Sequence, residues 1–158
     1  MRREAEPSRG ARPLAQAQAA LTIETVGPGF TDVTAKLAAW LASFGAQDGL
    51  LVAFVRHTSA SLTIQENADP DVLSDLRMML DRLAPQAAPY RHTFEGPDDM
   101  PAHVKSMLTA TSLPIPVTDG CMMLGTWQAV YLIEHRSRPH SREVALHYVG
   151  TMGEAPAN

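Results

Sequence analysis

Cysteine is almost missing from this sequence. The one thiol, Cys121, cannot close an intrachain disulfide, which excludes a disulfide-stapled scaffold and fits a reducing compartment. Aromatic residues make up only 6% of the chain, and charged residues 19% against about 25% in an average domain. So low a charge density suits a surface partly covered by a partner subunit. Net charge is −4 and the sequence pI about 5.8, so no basic field is present to attract nucleic acid. No apolar run approaches the ~18 residues of a membrane-spanning helix, the longest clear one being Leu50–Val55. The opening MRREAEPSRG develops no apolar stretch of the secretory kind. A soluble cytoplasmic protein is expected, with no nucleic-acid or membrane partner.

What is present describes one domain. Hydrophobic content of 45% over 158 residues is enough for a single core. Residues 1–20 mix Arg, Glu, Pro, Ala and Gln without an apolar period and read as a disordered tail. The folded unit is expected over 21–150, with 151–158 as a C-terminal tail. LTIETV (Leu21–Val26) alternates as a half-buried strand and stops at Gly27-Pro28-Gly29. Val33, Leu37, Trp40, Leu41 and Phe44 recur at helical spacing after Thr31-Asp32, and Gly45 supplies the stop. The run LLVAFV predicts a strand buried on both faces. LTIQ (Leu62–Gln65) resumes alternation, so the two runs are candidates for neighbouring strands. Asp69-Pro70 starts a helix with the apolar stripe Val72, Leu76, Met79, Leu80 and Leu83.

A short helix follows from Pro101, capped by Asp98 or Asp99 and anchored by Val104, Met107 and Leu108. LPIPV (Leu113–Val117) suits an edge strand, because alternate prolines cannot donate to two neighbours. Trp127–Glu134 and Val144–Val149 read as the last two strands. Many short strands with two to three helices make the fold α+β, with a mainly antiparallel sheet.

Three segments collect the chemistry. Tyr90–Lys105 (YRHTFEGPDDMPAHVK) gathers His92, Glu95, Asp98, Asp99, His103 and Lys105 around a proline- and glycine-marked turn. Its imidazoles and carboxylates can ligate a divalent cation, although ten residues between His92 and His103 match no short zinc motif. The bland alternative has the acids capping a helix and the histidines satisfying loop carbonyls. His57-Thr58-Ser59-Ala60-Ser61 presents an imidazole and hydroxyls suited to phosphate oxygens, with Asn67 and Asp69 downstream. Its His-x-Ser spacing does not make a hydrolase triad, since alternate residues of an extended segment need not meet. Gly125-Thr126-Trp127-Gln128 permits close backbone approach to a ligand. Glu134, in an otherwise apolar run, demands a partner: Arg136, Arg138 or a metal.

These segments, HTSASLTIQENADPDV, HTFEGPDDMPAHVKSML, LPIPVTDG and LGTWQAVYLIEHR, resemble the YjbQ family, over about residues 21–150. The resemblance implies a β-sandwich-like α+β domain that assembles as a homotrimer. It also implies a secondary thiamine-phosphate synthase activity, joining an aminopyrimidine methyl diphosphate to a thiazole phosphate with release of pyrophosphate. By position it nominates His57, His103 and Glu95 as catalytic groups. Thr58, Ser59, Asn67, Lys105, Gly125, Thr126 and Gln128 would bind a small phosphorylated metabolite. His92, His103, Asp99 and Glu134 would hold a divalent cation, magnesium or zinc. Gln65, Pro97 and Ala129 depart from the family pattern, and Pro97 removes one carboxylate from the loop. Two alternatives stay open: a metal-dependent hydrolase of small phosphate or ester metabolites, and a non-catalytic trimeric binding module.

Overall fold

A computed structural model describes residues 12–153, so the outermost tails, 1–11 and 154–158, lie outside the described residues. The elements in order are β1 (Ala15–Thr25), β2 (Gly29–Asp32), α1 (Thr34–Ser43), β3 (Ala46–Val55), β4 (Ala60–Glu66), α2 (Pro70–Leu83), α3 (Asp99–Leu108), β5 (Ser112–Thr118), β6 (Cys121–Met122), β7 (Gln128–Glu134) and β8 (His140–Met152). They form two antiparallel sheets, one ordered β1-β8-β3-β5-β6 and the other β2-β7-β4. The architecture is α+β. No helix among the described residues is long and apolar enough to cross a membrane.

One apolar core serves both sheets. Leu51, Val55, Ile115, Val144, Leu146 and Tyr148 enter it from the larger sheet, and Leu62, Val130 and Leu132 from the smaller. Leu37 and Leu41 of α1 are fully buried against them, each contributing roughly 1.5–3 kcal/mol. β8 is the spine of the larger sheet. It pairs with β1 from Thr25↔His140 to Ala15↔Gly150, and on its other edge with β3.

Several expectations are corrected by this arrangement. β1 begins at Ala15, inside the stretch expected as a tail, because β8 runs to Met152 and offers it a partner along its whole length. β3 is not buried on both faces: Leu51, Ala53 and Val55 point inward, while Phe54 is exposed on the other side. β3 and β4 are not neighbours but belong to different sheets, so the polar His57-Thr58-Ser59 segment is the corner between sheets. Thr31 and Asp32 lie in β2, and Asp32 Oδ1 accepts the Thr34 N–H at 2.8 Å from just outside α1.

α2 starts as expected, with Asp69 accepting the Asp71 N–H. Yet none of its side chains is buried, and Met78, Met79 and Leu83 are exposed. α3 begins at Asp99 with no side-chain cap. Pro101, Ala102, Lys105 and Ser106 hold it to the body, while Met107 and Leu108 face outward. The prolines of β5 sit opposite Val52 and Leu50 of β3. β6 pairs only with Val117 and Thr118, beyond both prolines, so no missing donor is needed on that side.

Candidate functional site

Asp99 and His103 stand one helical turn apart at the start of α3, on the same face. The Tyr90–Gly96 loop returns His92 to that face. His92 Nε2 lies 2.7 Å and His103 Nε2 3.3 Å from Asp99 Oδ2, and the two imidazole centroids are 5.6 Å apart. One ligand atom from each of the three residues falls within 4.8 Å of the others.

The protonation pattern follows from the outer contacts. His103 Nδ1 donates to the Thr58 carbonyl at 3.0 Å. In the neutral ring Nε2 is then a bare lone pair, aimed at a carboxylate oxygen. Two electron-rich atoms facing one another at that distance call for a positive charge between them, a proton on the ring or a metal ion. A histidine whose outer nitrogen is anchored to a carbonyl is the usual form of a metal-ligating histidine.

Asp99 is itself fixed from behind. Arg136 donates from Nη1 to Asp99 Oδ1 at 2.5 Å, from Nε to Asp98 Oδ2 at 3.0 Å and from Nη2 to the Glu95 carbonyl at 2.9 Å. Asp98 also accepts the Ser137 N–H and hydroxyl, which ties the loop to the end of β7. Burial alone would raise the Asp99 carboxyl. The His92 hydrogen bond and the charges of Arg136 and His103 overcome it and hold the group below the usual carboxylate range. Asp98 is held lower still by the Ser137 N–H and Arg136, again against its own burial. Both are anionic at neutral pH. Two imidazoles and one carboxylate leave a coordination position free, the pattern of catalytic rather than structural zinc sites. Nitrogen donors favour zinc or another transition ion over magnesium, which prefers oxygen.

The other expected site residues fall into three groups. The first borders the cluster: Thr58 supplies the carbonyl to His103, and Glu95, exposed, stands 3.9 Å from Arg136. His57 accepts the Glu143 N–H at Nε2, which leaves the proton on Nδ1. Burial and the nearby Arg142 lower its pKa. It lines an open groove of about 580 Å³ with Arg56, Thr58, Ser59 and Thr111.

The second group is held elsewhere by strong partners. Glu134 does not join the cluster. It accepts two bonds from Arg142, at 2.6 and 2.7 Å, one from Thr25 and one from the Arg136 N–H, and so is buried with its charge satisfied. Ser59 Oγ accepts from the same Arg142. Lys105 follows His103 by two positions and therefore projects from another side of α3, onto Asp81 of α2 at 2.5 Å.

The third group is distant. In the β4–β7 pairing Ala60 lies opposite Glu134 at one end and Glu66 opposite Gln128 at the other. At 3.2–3.4 Å per residue these ends are about 20 Å apart. Gln128 marks the far end, with Asn67, Gly125 and Thr126 beyond it; there Gln128 Oε1 accepts the Gly125 N–H and Trp127 is 64% exposed. A single chain does not bring them to the histidines.

Arg142 organises the Glu134 and Ser59 contacts from beyond the motif segments read in the sequence. Arg136 is one of three partners expected for Glu134, beside Arg138 and a metal, but its guanidinium goes to Asp98 and Asp99 and only its N–H meets Glu134. The available signal for Arg142 was Glu134 itself: a buried carboxylate needs a cation, and the arginine that answers lies eight residues on across the β7–β8 turn.

Known proteins resemble this chain in sequence and in fold. A UPF0047 protein of Synechocystis is 52% identical over 136 residues, covering 85% of this chain and 92% of that protein. The UPF0047 protein YjbQ of Escherichia coli O157:H7 is 42% identical over 128 residues, covering 80% and 93%. The crystal structure of a conserved hypothetical protein from Thermus thermophilus superposes with a TM-score of 0.73 at 39% identity, covering 81% of this chain and 97% of that one. A hypothetical protein from Aeropyrum pernix does so with a TM-score of 0.78 at 31% identity, covering 85% and 98%. The UPF0047 YjbQ-like family model matches residues 19–151, nearly all of the folded chain, and this protein belongs to that family.

Proposed function

We propose that the protein is a metal-dependent enzyme acting on a small phosphorylated metabolite, with the ion held by His92, Asp99 and His103. The observation that supports this most is the anchoring of His103. Its Nδ1 is committed to the Thr58 carbonyl, so Nε2 meets the Asp99 carboxylate at 3.3 Å with either a ring proton or a metal ion between them, and the ion is the choice this proposal makes. When bound, a zinc-like ion supplies a Lewis acid and lowers the pKa of a coordinated water. The chain's own groups supply the rest. Arg136 fixes the Asp99 carboxylate, Thr58 fixes His103, and His57 Nδ1–H offers a donor to a phosphate oxygen or a leaving group.

Hydrolysis of a phosphate or ester metabolite is the reaction this donor set favours. Thiamine-phosphate formation, with release of pyrophosphate, rests on the family resemblance and is the natural comparison. The working unit in this proposal is a homotrimer. Its support is the separation of Asn67, Gly125, Thr126 and Gln128 from the histidines, together with exposed apolar side chains near the cluster, Phe94 at 97% and Met107 at 78%. A neighbouring copy would cover the latter and can bring the former.

The test uses purified protein with measured metal content. Turnover of a panel of phosphate monoesters and carboxyl esters, and of the aminopyrimidine diphosphate with thiazole phosphate, is followed with and without a chelator. Chelator-sensitive turnover that His103→Ala abolishes is expected. Turnover indifferent to both overturns the assignment, and stoichiometric binding without product makes the protein a binding module.

A further inference from the structure

A second polar cavity lies on the other side of α3, away from the His92–Asp99–His103 cluster, between α2, the β1–β2 turn and the end of β7. It has a volume of about 300 Å³ and is lined by Pro28, Arg77, Asp81, Lys105, His135 and neighbours that include Asp98. His135 is 5% exposed and Lys105 8%. His135 Nε2 meets the Ser61 hydroxyl at 2.8 Å, and its Nδ1 has no hydrogen-bond partner among the described residues. No fully buried side-chain nitrogen or oxygen among them lacks a partner, so Nδ1 borders open space; His135 lines this cavity and an adjoining pocket of about 10 Å³ that shares Arg77, Asp81 and Lys105 with it. Arg77 likewise has no ion-pair partner among the described residues.

We propose that this cavity is an anion site for a phosphate group, bound by Lys105, Arg77 and the Nδ1–H of His135. The charges support an anion. Asp98 is engaged by Arg136, which it shares with Asp99, and by the Ser137 N–H and hydroxyl, so the cations free to meet a ligand, Lys105 and Arg77, face Asp81 as the one carboxylate not tied up elsewhere. The Asp81 side chain is 56% exposed while its partner Lys105 is 10% exposed. The carboxylate can therefore swing into water and surrender the buried ammonium to a ligand that carries more charge. His135 stays neutral, because burial and the nearby Lys105 charge bring its pKa down to about 4. A neutral imidazole can still donate. The Thr109 hydroxyl has one hydrogen and reaches both Ser61 Oγ at 2.6 Å and the Lys105 carbonyl at 2.8 Å; in the arrangement this proposal uses, Thr109 donates to Ser61 and Ser61 to Nε2, which puts the ring hydrogen on Nδ1.

Phosphate in this site leaves the metal cluster untouched, since Lys105 and His103 project from different sides of α3. The test is calorimetric titration of the full-length protein with inorganic phosphate and with glycerol phosphate, in a phosphate-free buffer, using chloride as the control. Lys105→Met is expected to weaken phosphate binding tenfold or more and Arg77→Ala severalfold, while His103→Ala leaves it unchanged. Asp81→Asn is expected to strengthen binding and to increase the rise in melting temperature that phosphate produces. A purely structural Lys105–Asp81 pair gives no such gain. Absence of phosphate binding overturns the proposal, as does binding that survives Lys105→Met or disappears in His103→Ala.

Discussion

Asp99 serves three cationic or hydrogen-bonding partners with two oxygens: Arg136 takes Oδ1, and His92 and His103 share Oδ2. Removing its charge therefore acts on metal affinity before it acts on folding. Asp99→Asn keeps the shape but offers a neutral oxygen and an amide to groups that require an anion. Zinc affinity is expected to fall by more than about tenfold, since losing even a supporting contact at a metal site costs that much and Asp99 is one of the three proposed ligands. Competition with a chromophoric chelator measures it. His135 gives a separate prediction at the same scale. Its folded pKa of about 4 lies below the ~6.5 of an unfolded histidine, so between those values the unfolded chain binds more protons. Its contribution is complete above pH 6.5 and is lost as pH falls toward 4, amounting to about 3 kcal/mol. Urea denaturation across that window is expected to show the slope in the native protein and its loss in His135→Asn. Asp98, Asp99 and Glu134 have depressed pKa values, and what they add is lost only at still lower pH, as it falls through the carboxylate range.

At the scale of elements, the sequence was most legible where local chemistry decides. Asp69-Pro70 marked the start of α2, the proline pattern kept β6 off most of β5, and the apolar spacing of Leu37 and Leu41 identified the buried face of α1. It was least legible where a partner strand decides. AQAQAA has little intrinsic claim to be a strand, and it becomes β1 because β8 is long enough to pair with it. Glu134, read as a metal ligand, is instead the anion of a buried Arg142 pair, since the arginine that reaches it lies across a turn of unpredictable geometry. The β3–β8 pairing shows how closely two backbones can be set. Gly49 lies opposite Gly150, and a Cβ on Gly150 would stand 2.6 Å from the Gly49 Cα and 2.5 Å from the Tyr148 hydroxyl. Gly150→Ala is expected to destabilise the fold by about 1–3 kcal/mol, the usual cost of overpacking, with little change in denaturant slope.

The whole molecule leaves conspicuous apolar surface uncovered. α2 fully buries none of its side chains within the chain, although Val72, Leu76, Met79, Leu80 and Leu83 were expected to form its apolar stripe: Val72, Leu76 and Leu80 are half-buried, Met79 and Leu83 exposed. Helical spacing correctly located the helix but could not say whether its apolar side meets the chain's own core or another copy. The proposed homotrimer predicts a solution mass of three times the 17.1 kDa of one chain, measured by light scattering. Paired charges at Met79 and Leu83, Met79→Glu with Leu83→Lys, are expected to lower that mass if α2 lies in the contact. The central claim is the metal centre, and X-ray absorption at the zinc edge of the zinc-loaded protein tests it most directly. Two imidazoles with one carboxylate are expected around the ion, with one imidazole lost in His103→Ala. Failure to retain zinc, or a coordination shell unchanged by that substitution, would contradict the account.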